Sequence, residues 1–254
     1  IAADSKYWLW INDQLVIFEG GLKRGPSPSG TYYDPVDIAP YLTKGSNTIA
    51  ILLWHFGKDG FSHINSGKAA LLFEAIAPGL EIVSDASWQC ALYEAYQNTE
   101  APFPNYRMPE SNIRFDARQA ITNWNRTSFE GFLPGAVCVG KAGKAPFGDL
   151  VERPIPQWKN SGLLSYVSVR ESLKGDTLFC RLPYNAQITP YLKVEAEAGK
   201  TIHIRMDNYE GGSERNVRAE YITREGEQEY ESYGWMNGHE VYYIIPEGVK
   251  VLDV

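Results

Sequence analysis

The sequence has few cysteines, and they form no recognisable pattern. Cys90, Cys138 and Cys180 are isolated from one another, and none has the spacing of a metal site. The odd count also argues against a framework of disulfide bonds. We therefore expect three buried free thiols.

Long apolar runs and blocks of one charge are also missing. No apolar run reaches the roughly 18 residues that a membrane-spanning helix needs. The formal net charge is −7 and the pI is near 5.2, whereas a nucleic-acid-binding protein normally carries a basic stripe. We expect no membrane span and no nucleic-acid partner.

Local motifs of catalysis are absent as well. The chain has no HExxH, GxSxG, P-loop or GxGxxG sequence, and its four histidines lack neighbouring metal ligands. Glu227, Glu229 and Glu231 alternate along one predicted strand. Two carboxylates at suitable separation could hydrolyse a glycoside, but like charges on one strand face more often mark a solvated sheet edge. The solvated edge is the favoured interpretation.

The residues that are abundant favour β-structure. Aromatic residues reach 13%, with 16 Tyr and 7 Trp, and such side chains pack in sheets and stack on sugar rings. Short β-branched runs alternate with glycine-bearing turns, which predicts an all-β fold with two β-sandwich (jelly-roll or galactose-binding-like) domains in series. The uninterrupted apolar run 48–54 predicts a strand buried on both faces. Proline and glycine place a linker at 143–160, between domains at 1–142 and 161–254.

One loop could contact sugar. The Gly20–Gly30 loop brings Arg24 close in sequence to Tyr33 and Asp34, and a glycine-containing loop follows Trp54. Polar side chains around an aromatic wall suit a sugar, which has polar rims and an apolar face. A structural loop in which Arg24 pairs with Asp34 or Asp37 remains the default alternative. The candidate carbohydrate-binding residues are Arg24, Tyr33, Asp34, Trp54, His55, Lys58, Asp59 and His63.

Several segments resemble, in order, those of bacterial α-L-rhamnosidases. They include YWLWINDQLV from Tyr7, in which Asp13 replaces a hairpin glycine, and GGLKRGPSPSGTYYDPVDIAPYLTKGSNTIAILLWHFG from Gly20. Further segments are Asp85–Trp88, Phe115–Arg118, Leu150–Pro156 and the strands after Leu182. The resemblance covers nearly the whole chain and corresponds to the β-sandwiches that precede the catalytic domain in that family.

The resemblance implies a parent enzyme that hydrolyses terminal α-L-rhamnose from glycans or glycosides with inversion. Its acid and base would lie on a C-terminal (α/α)6 barrel that this sequence does not contain, so we expect the chain alone to be inactive. It also implies a rhamnose-containing glycan and that barrel as partners, and a periplasmic or extracellular bacterial location. Some family members bind rhamnose with calcium in such a sandwich. Because we cannot match those ligands residue by residue, calcium stays an option that no specific motif supports, and we expect no cofactor. An autonomous carbohydrate-binding module and a structural, adhesin-like sandwich pair remain alternatives.

Overall fold

The computed structural model describes residues 1–21, 27, 29–59, 64–100, 112–131, 133–209 and 217–254. These residues form β-strands and short 3-10 turns, and no α-helix occurs among them. The chain divides into two compact units, one formed by residues 1–92 with 122–160 and the other by 93–121 with 161–254. The all-β prediction is confirmed.

The first unit contains small sheets built from short strands. In chain order its strands are β1 (Ala2–Asp4), β2 (Lys6–Ile11), β3 (Gln14–Gly20), β4 (Gly30–Tyr33), β5 (Ile49–Trp54), β6 (Ala70–Leu72), β7 (Glu74–Ala77), β8 (Leu80–Val83) and β11 (Asp149–Glu152). The described pairings are β3-β2-β5, β1-β6 and β7-β8, all antiparallel, and β4-β11, which is parallel. The largest core cluster of this unit centres on Tyr7, Leu9 and Ile11 of β2.

The second unit is a sandwich of a large and a small sheet. Its strands are β9 (Tyr96–Asn98), β10 (Ile113–Asp116), β12 (Ser168–Glu171), β13 (Thr177–Ile188), β14 (Tyr191–Ala196), β15 (Thr201–Met206), β16 (Ala219–Ile222), β17 (Gly226–Glu231), β18 (Met236–Ile244) and β19 (Val249–Asp253). The large sheet has the order β12-β13-β18-β15-β16-β10-β9, and the small sheet β17-β14-β19. Alternate residues of both sheets, including Val194, Ile204 and Val241, fill one core.

Two predictions about burial are wrong. Strand β5 lies at the edge of its described sheet and pairs only with β2, so most of its residues are half-buried rather than enclosed on both faces. Only one face of β5, with Ile49, Ile51 and Leu53, packs on the core. Among the thiols, Cys180 alone is buried, because it points into the sandwich core, whereas Cys90 and Cys138 are exposed.

The units divide the chain differently from the expected boundaries. Strand β10 lies within the expected first domain, but it pairs in parallel with β16 and thereby extends the large sheet of the second unit. The expected linker is partly folded, because β11 pairs with β4 and Phe147 is buried in a core cluster of the first unit. The proline- and glycine-rich composition of 143–160 therefore does not make this segment an unstructured linker.

The hairpin between β2 and β3 has a tight turn at Asn12 and Asp13. Asn12 and Asp13 both adopt positive φ, at 47° and 71°, and Ile11 pairs with Gln14. Positive φ at both central residues is the geometry of a type I′ turn. Asp13 also accepts hydrogen bonds from the backbone N–H of Thr127 at 2.6 Å and from its hydroxyl at 3.1 Å. The aspartate thus anchors a distant segment, which a glycine could not do.

Candidate functional site

The structure places four predicted sugar-contacting residues at the end of β5 and in the loop that follows it: Trp54, His55, Lys58 and Asp59. Two others, Tyr33 and Asp34, lie at the end of β4. Arg24 and His63 lie outside the described residues.

Asp34 is a buried structural residue in this fold. Its side chain is 1% exposed, and one carboxylate oxygen accepts from the Tyr7 hydroxyl at 2.7 Å and from the Gly21 N–H at 2.8 Å. The other oxygen lies 2.6 Å from Nε of Arg153, which is also buried. Burial, and next the negative charge of Asp34, raise the pKa of Tyr7. This geometry leaves Asp34 no access to a sugar.

The partner of Asp34 was not evident from the sequence. Arg153 follows β11, and the parallel pairing of β11 with β4 brings it to Asp34 across a long separation in sequence. Gly20 supports the same arrangement, because any side chain there would overlap the ring of Tyr7. Tyr33, next to Asp34, is half-buried and packs on the cluster that contains Phe147. Residues at the end of β4 therefore stabilise the fold.

His55 is held by the buried residue Asp4. Nδ1 of His55 lies 3.2 Å from the backbone oxygen of Asp4 and 3.6 Å from its carboxylate. The same carboxylate accepts from the Ser5 hydroxyl at 3.0 Å and from the Ser66 N–H at 2.8 Å. These contacts fix the orientation of the imidazole and tie the loop after β5 to β1.

An aromatic pair is the part of this region best suited to ligand contact. The rings of Trp54 and Phe56 are stacked, with centroids 5.5 Å apart and an interplanar angle of 24°. Lys6 places its ammonium 5.8 Å from the Trp54 ring, and Lys58 lies 5.1 Å from Phe56. We name Trp54, Phe56 and Lys58 the aromatic ledge. Phe56 was not among the predicted residues. It lies two residues after Trp54, and the alternation of side chains along an extended segment could have indicated that both rings share one face.

The loop beside the ledge is closed by its own hydrogen bonds. The carboxylate of Asp59 accepts from the Asn65 N–H at 2.8 Å, and the Asn65 amide donates to the backbone oxygen of Gly57 at 2.9 Å. Asp59 is therefore engaged in shaping this loop, while Lys58 remains exposed.

The described residues contain no cluster of three or more His, Cys, Asp or Glu that could hold a metal ion. None of the helices in the described ranges has the length and hydropathy needed to cross a bilayer. The glutamates of β17 lie on the edge strand of the small sheet, as predicted, and Glu227 pairs with Lys193 at 2.7 Å.

A cluster of charged residues lies on the large sheet of the second unit. Glu220, which is 2% exposed, lies 2.7 Å from Nε of Arg218 and 3.6 Å from Nδ1 of His203. Burial lowers the pKa of His203, against a smaller opposing effect of Glu220. On the strand that carries His203, the neighbouring residues Ile202 and Ile204 face the core. His239 lies elsewhere, beside Asp207 at 3.3 Å.

The architecture is that of an all-β protein whose strands form sandwich-like units. It matches part of several solved α-L-rhamnosidases over 98% of this chain. A GH78 family rhamnosidase from Bacillus sp. GL1 matches with a TM-score of 0.77 at 15% identity, an α-L-rhamnosidase from Aspergillus terreus with 0.65 at 19%, and one from Streptomyces avermitilis, complexed with L-rhamnose, with 0.66 at 17%. The fold of the chain is therefore that of a β-sandwich portion of α-L-rhamnosidases.

The chain corresponds to 50%, 31% and 26% of the lengths of these three proteins. No family model matches the chain, and no curated protein matches it in sequence.

Proposed function

We propose that the chain is the non-catalytic β-sandwich portion of an α-L-rhamnosidase and that it braces the catalytic (α/α)6 barrel of the same protein. The observation that carries the proposal is the match of nearly the whole chain to one part of several α-L-rhamnosidases, with the remainder of each enzyme left over. A bracing unit has to offer apolar surface to its neighbour.

Apolar residues exposed on the second unit support this role. Leu164 is 78% exposed and Leu173 fully so, and further exposed apolar residues are Leu163, Val167 and Val169. A groove of about 560 Å³ lies beside them, with Leu178 and Val251 in its lining. Exposure of these apolar side chains is not expected of an adhesin-like sandwich that needs no neighbouring domain.

The first experiment measures hydrolysis of an aryl α-L-rhamnoside by the purified 254-residue chain. We expect no activity above buffer, because the catalytic carboxylates would lie on the barrel. Hydrolysis by this chain would refute the proposal.

The bracing role is tested in the full-length enzyme. Leu164→Ser with Leu173→Ser is expected to lower the melting temperature of the catalytic domain and to leave that of the 254-residue chain unchanged. Gln119→Ser, another exposed position of the second unit, is the matched control. An unchanged catalytic domain in the double variant would argue against bracing.

A carbohydrate-binding role is the second candidate, and the aromatic ledge favours it. Stacked rings with a neighbouring ammonium suit the apolar face and the hydroxyls of a sugar. Calorimetric titration with L-rhamnose should then give saturable heat that Trp54→Ala weakens. Trp158→Ala, at an exposed tryptophan of the same unit, is the control. An absence of heat at millimolar sugar would reject this candidate.

A further inference from the structure

The large sheet of the second unit has a polar and aromatic face directed away from the core. Because Cys180, Ile204 and Val241 point into the core, their strand neighbours point outward. We call this set the outer face; its members are Arg114, Arg170, Phe179, Arg181, His203, Arg205, Arg218, Glu220, Glu240 and Tyr242. The chain as a whole has a net charge of −7, yet five arginines lie on this side of the sheet, of which Arg218 is buried and the other four are at least partly exposed.

The centre of the outer face is a row that crosses four adjacent strands. Arg170 is opposite Phe179, Phe179 is opposite Tyr242, and Tyr242 is opposite Arg205. The guanidinium of Arg170 lies 4.6 Å from the centroid of Phe179, and the rings of Phe179 and Tyr242 meet edge to face at 5.3 Å. Two half-buried rings therefore lie between two arginines on a rigid sheet.

Two of these arginines differ from the others. Arg170 pairs with Glu240 at 3.6 Å, Arg218 with Glu220, and Arg114 with Glu100. Arg205 and Arg181 are exposed and form no ion pair with any carboxylate in the described part of the chain. Partial burial of Arg205, and next its repulsion by Arg218, lower the pKa of Arg205, and the charge of Glu220 opposes both effects. An anion bound at Arg205 would offset this repulsion.

We propose that the outer face binds an acidic carbohydrate, an oligosaccharide that contains hexuronate residues. A carboxylate of the sugar is bound by Arg205, whose planar guanidinium can donate two parallel hydrogen bonds. The sugar ring lies against Tyr242 and Phe179. The next residue of the oligosaccharide reaches Arg181 and Glu240, which face each other two residues away from the Phe179–Tyr242 pair on β13 and β18.

The rings distinguish this proposal from attraction of an acidic protein. A purely electrostatic surface needs only charge, whereas the outer face places two aromatic rings between its cations, and a sugar has the apolar face that such rings contact. The proposal goes beyond the bracing role, does not depend on it, and concerns a different unit from the aromatic ledge.

The test is calorimetric titration of the 254-residue chain with two matched sugars, the α-1,4-linked trimer of galacturonate and the α-1,4-linked trimer of galactose, which differ in their carboxylates. We expect saturable binding of the galacturonate trimer and at least about tenfold weaker binding of the galactose trimer, a loss typical of a charge-assisted hydrogen bond. Arg205→Ala and Tyr242→Ala should each weaken galacturonate binding by roughly tenfold or more.

Arg224→Ala, at an exposed arginine in the turn before β17, is the matched control and should bind normally. Thermal unfolding of each variant shows whether it remains folded; Arg205 is exposed, so its variant should be unaffected.

Four results would overturn the proposal. The first two are an absence of galacturonate binding at millimolar concentration and equal binding of both trimers. The other two are unchanged binding by Arg205→Ala and binding of polyglutamate that is as strong as that of galacturonate. The last result would assign the face to acidic proteins. None of them bears on rhamnoside hydrolysis, so failure here is separate from failure of the proposed function.

Discussion

Replacement of Asp34 by Asn should destabilise the first unit selectively. The substitution keeps the size of the side chain and an oxygen acceptor for Tyr7, but it removes the charge that faces Arg153 at 2.6 Å. The two side chains are 1% and 4% exposed, so water cannot replace the lost partner. Removing one member of a buried ion pair typically costs about 3–5 kcal/mol.

The geometry of the contact between Arg153 and Asp34 sets the expected loss of unfolding free energy. Although Nε of Arg153 is close to the carboxylate, neither Nε nor Nη2 makes a well-aligned hydrogen bond. The attraction is therefore mainly ionic, and we expect the lower end of the range, about 3 kcal/mol. For a unit of this size the melting temperature should fall by on the order of 10 °C.

Tryptophan fluorescence during urea unfolding is the appropriate assay. The first unit contains six of the seven tryptophans, namely Trp8, Trp10, Trp54, Trp88, Trp124 and Trp158. The fluorescence transition should therefore move to lower urea in Asp34→Asn.

A double-mutant cycle isolates the pair itself. Arg153→Met should also destabilise, because it leaves Asp34 buried without its cation, and the double variant should lose less than the sum of the two. A loss below about 1 kcal/mol in Asp34→Asn, or additive losses in the double variant, would refute the argument.

Three further predictions concern separate parts of the chain. Asp13→Gly relaxes the positive φ but removes the hydrogen bonds to Thr127, so the unfolding free energy in urea should fall by about 1 kcal/mol; a stabilised variant would contradict the anchoring role. At pH 8 a thiol reagent should modify two of the three cysteines in the native protein, because burial raises the pKa of Cys180 to about 12; rapid reaction of all three would contradict it. The depressed pKa of His203 means that the unfolded chain binds its proton first, so stability should decline as pH falls from about 6.5, and His203→Gln should reduce that decline; an unchanged pH profile would exclude this residue as the cause.

The sequence predicts the second unit better than the first. From Thr177 onward, alternating apolar residues and glycine turns are local signals, and this part of the chain forms the strands β13 to β19. The apolar run of β5 misleads because its composition suits a fully enclosed strand, whereas the number of hydrogen-bonded neighbours depends on topology.

The candidate site shows the same contrast between features with local sequence signals and features that depend on long-range pairing. Trp54, His55 and Lys58 lie near one another because they are neighbours in sequence, which local reasoning can foresee. The buried pair of Asp34 and Arg153 depends on a parallel pairing between strands more than a hundred residues apart, for which no local pattern exists. Long-range pairing also explains why β10 belongs to the second unit.

The alternation of the two units along the chain constrains their order of folding during translation and their separation by truncation. The backbone passes from the first unit to the second after residue 92, returns after 121 and leaves again after 160. Translation must therefore pass β11 before the first unit can complete its fold. It must reach β19 before the second unit can complete its own. A truncation to residues 161–254 would remove β9 and β10 and leave β16 as a bare sheet edge, prone to pair with another copy. Neither unit can be obtained as a single uninterrupted piece of this polypeptide.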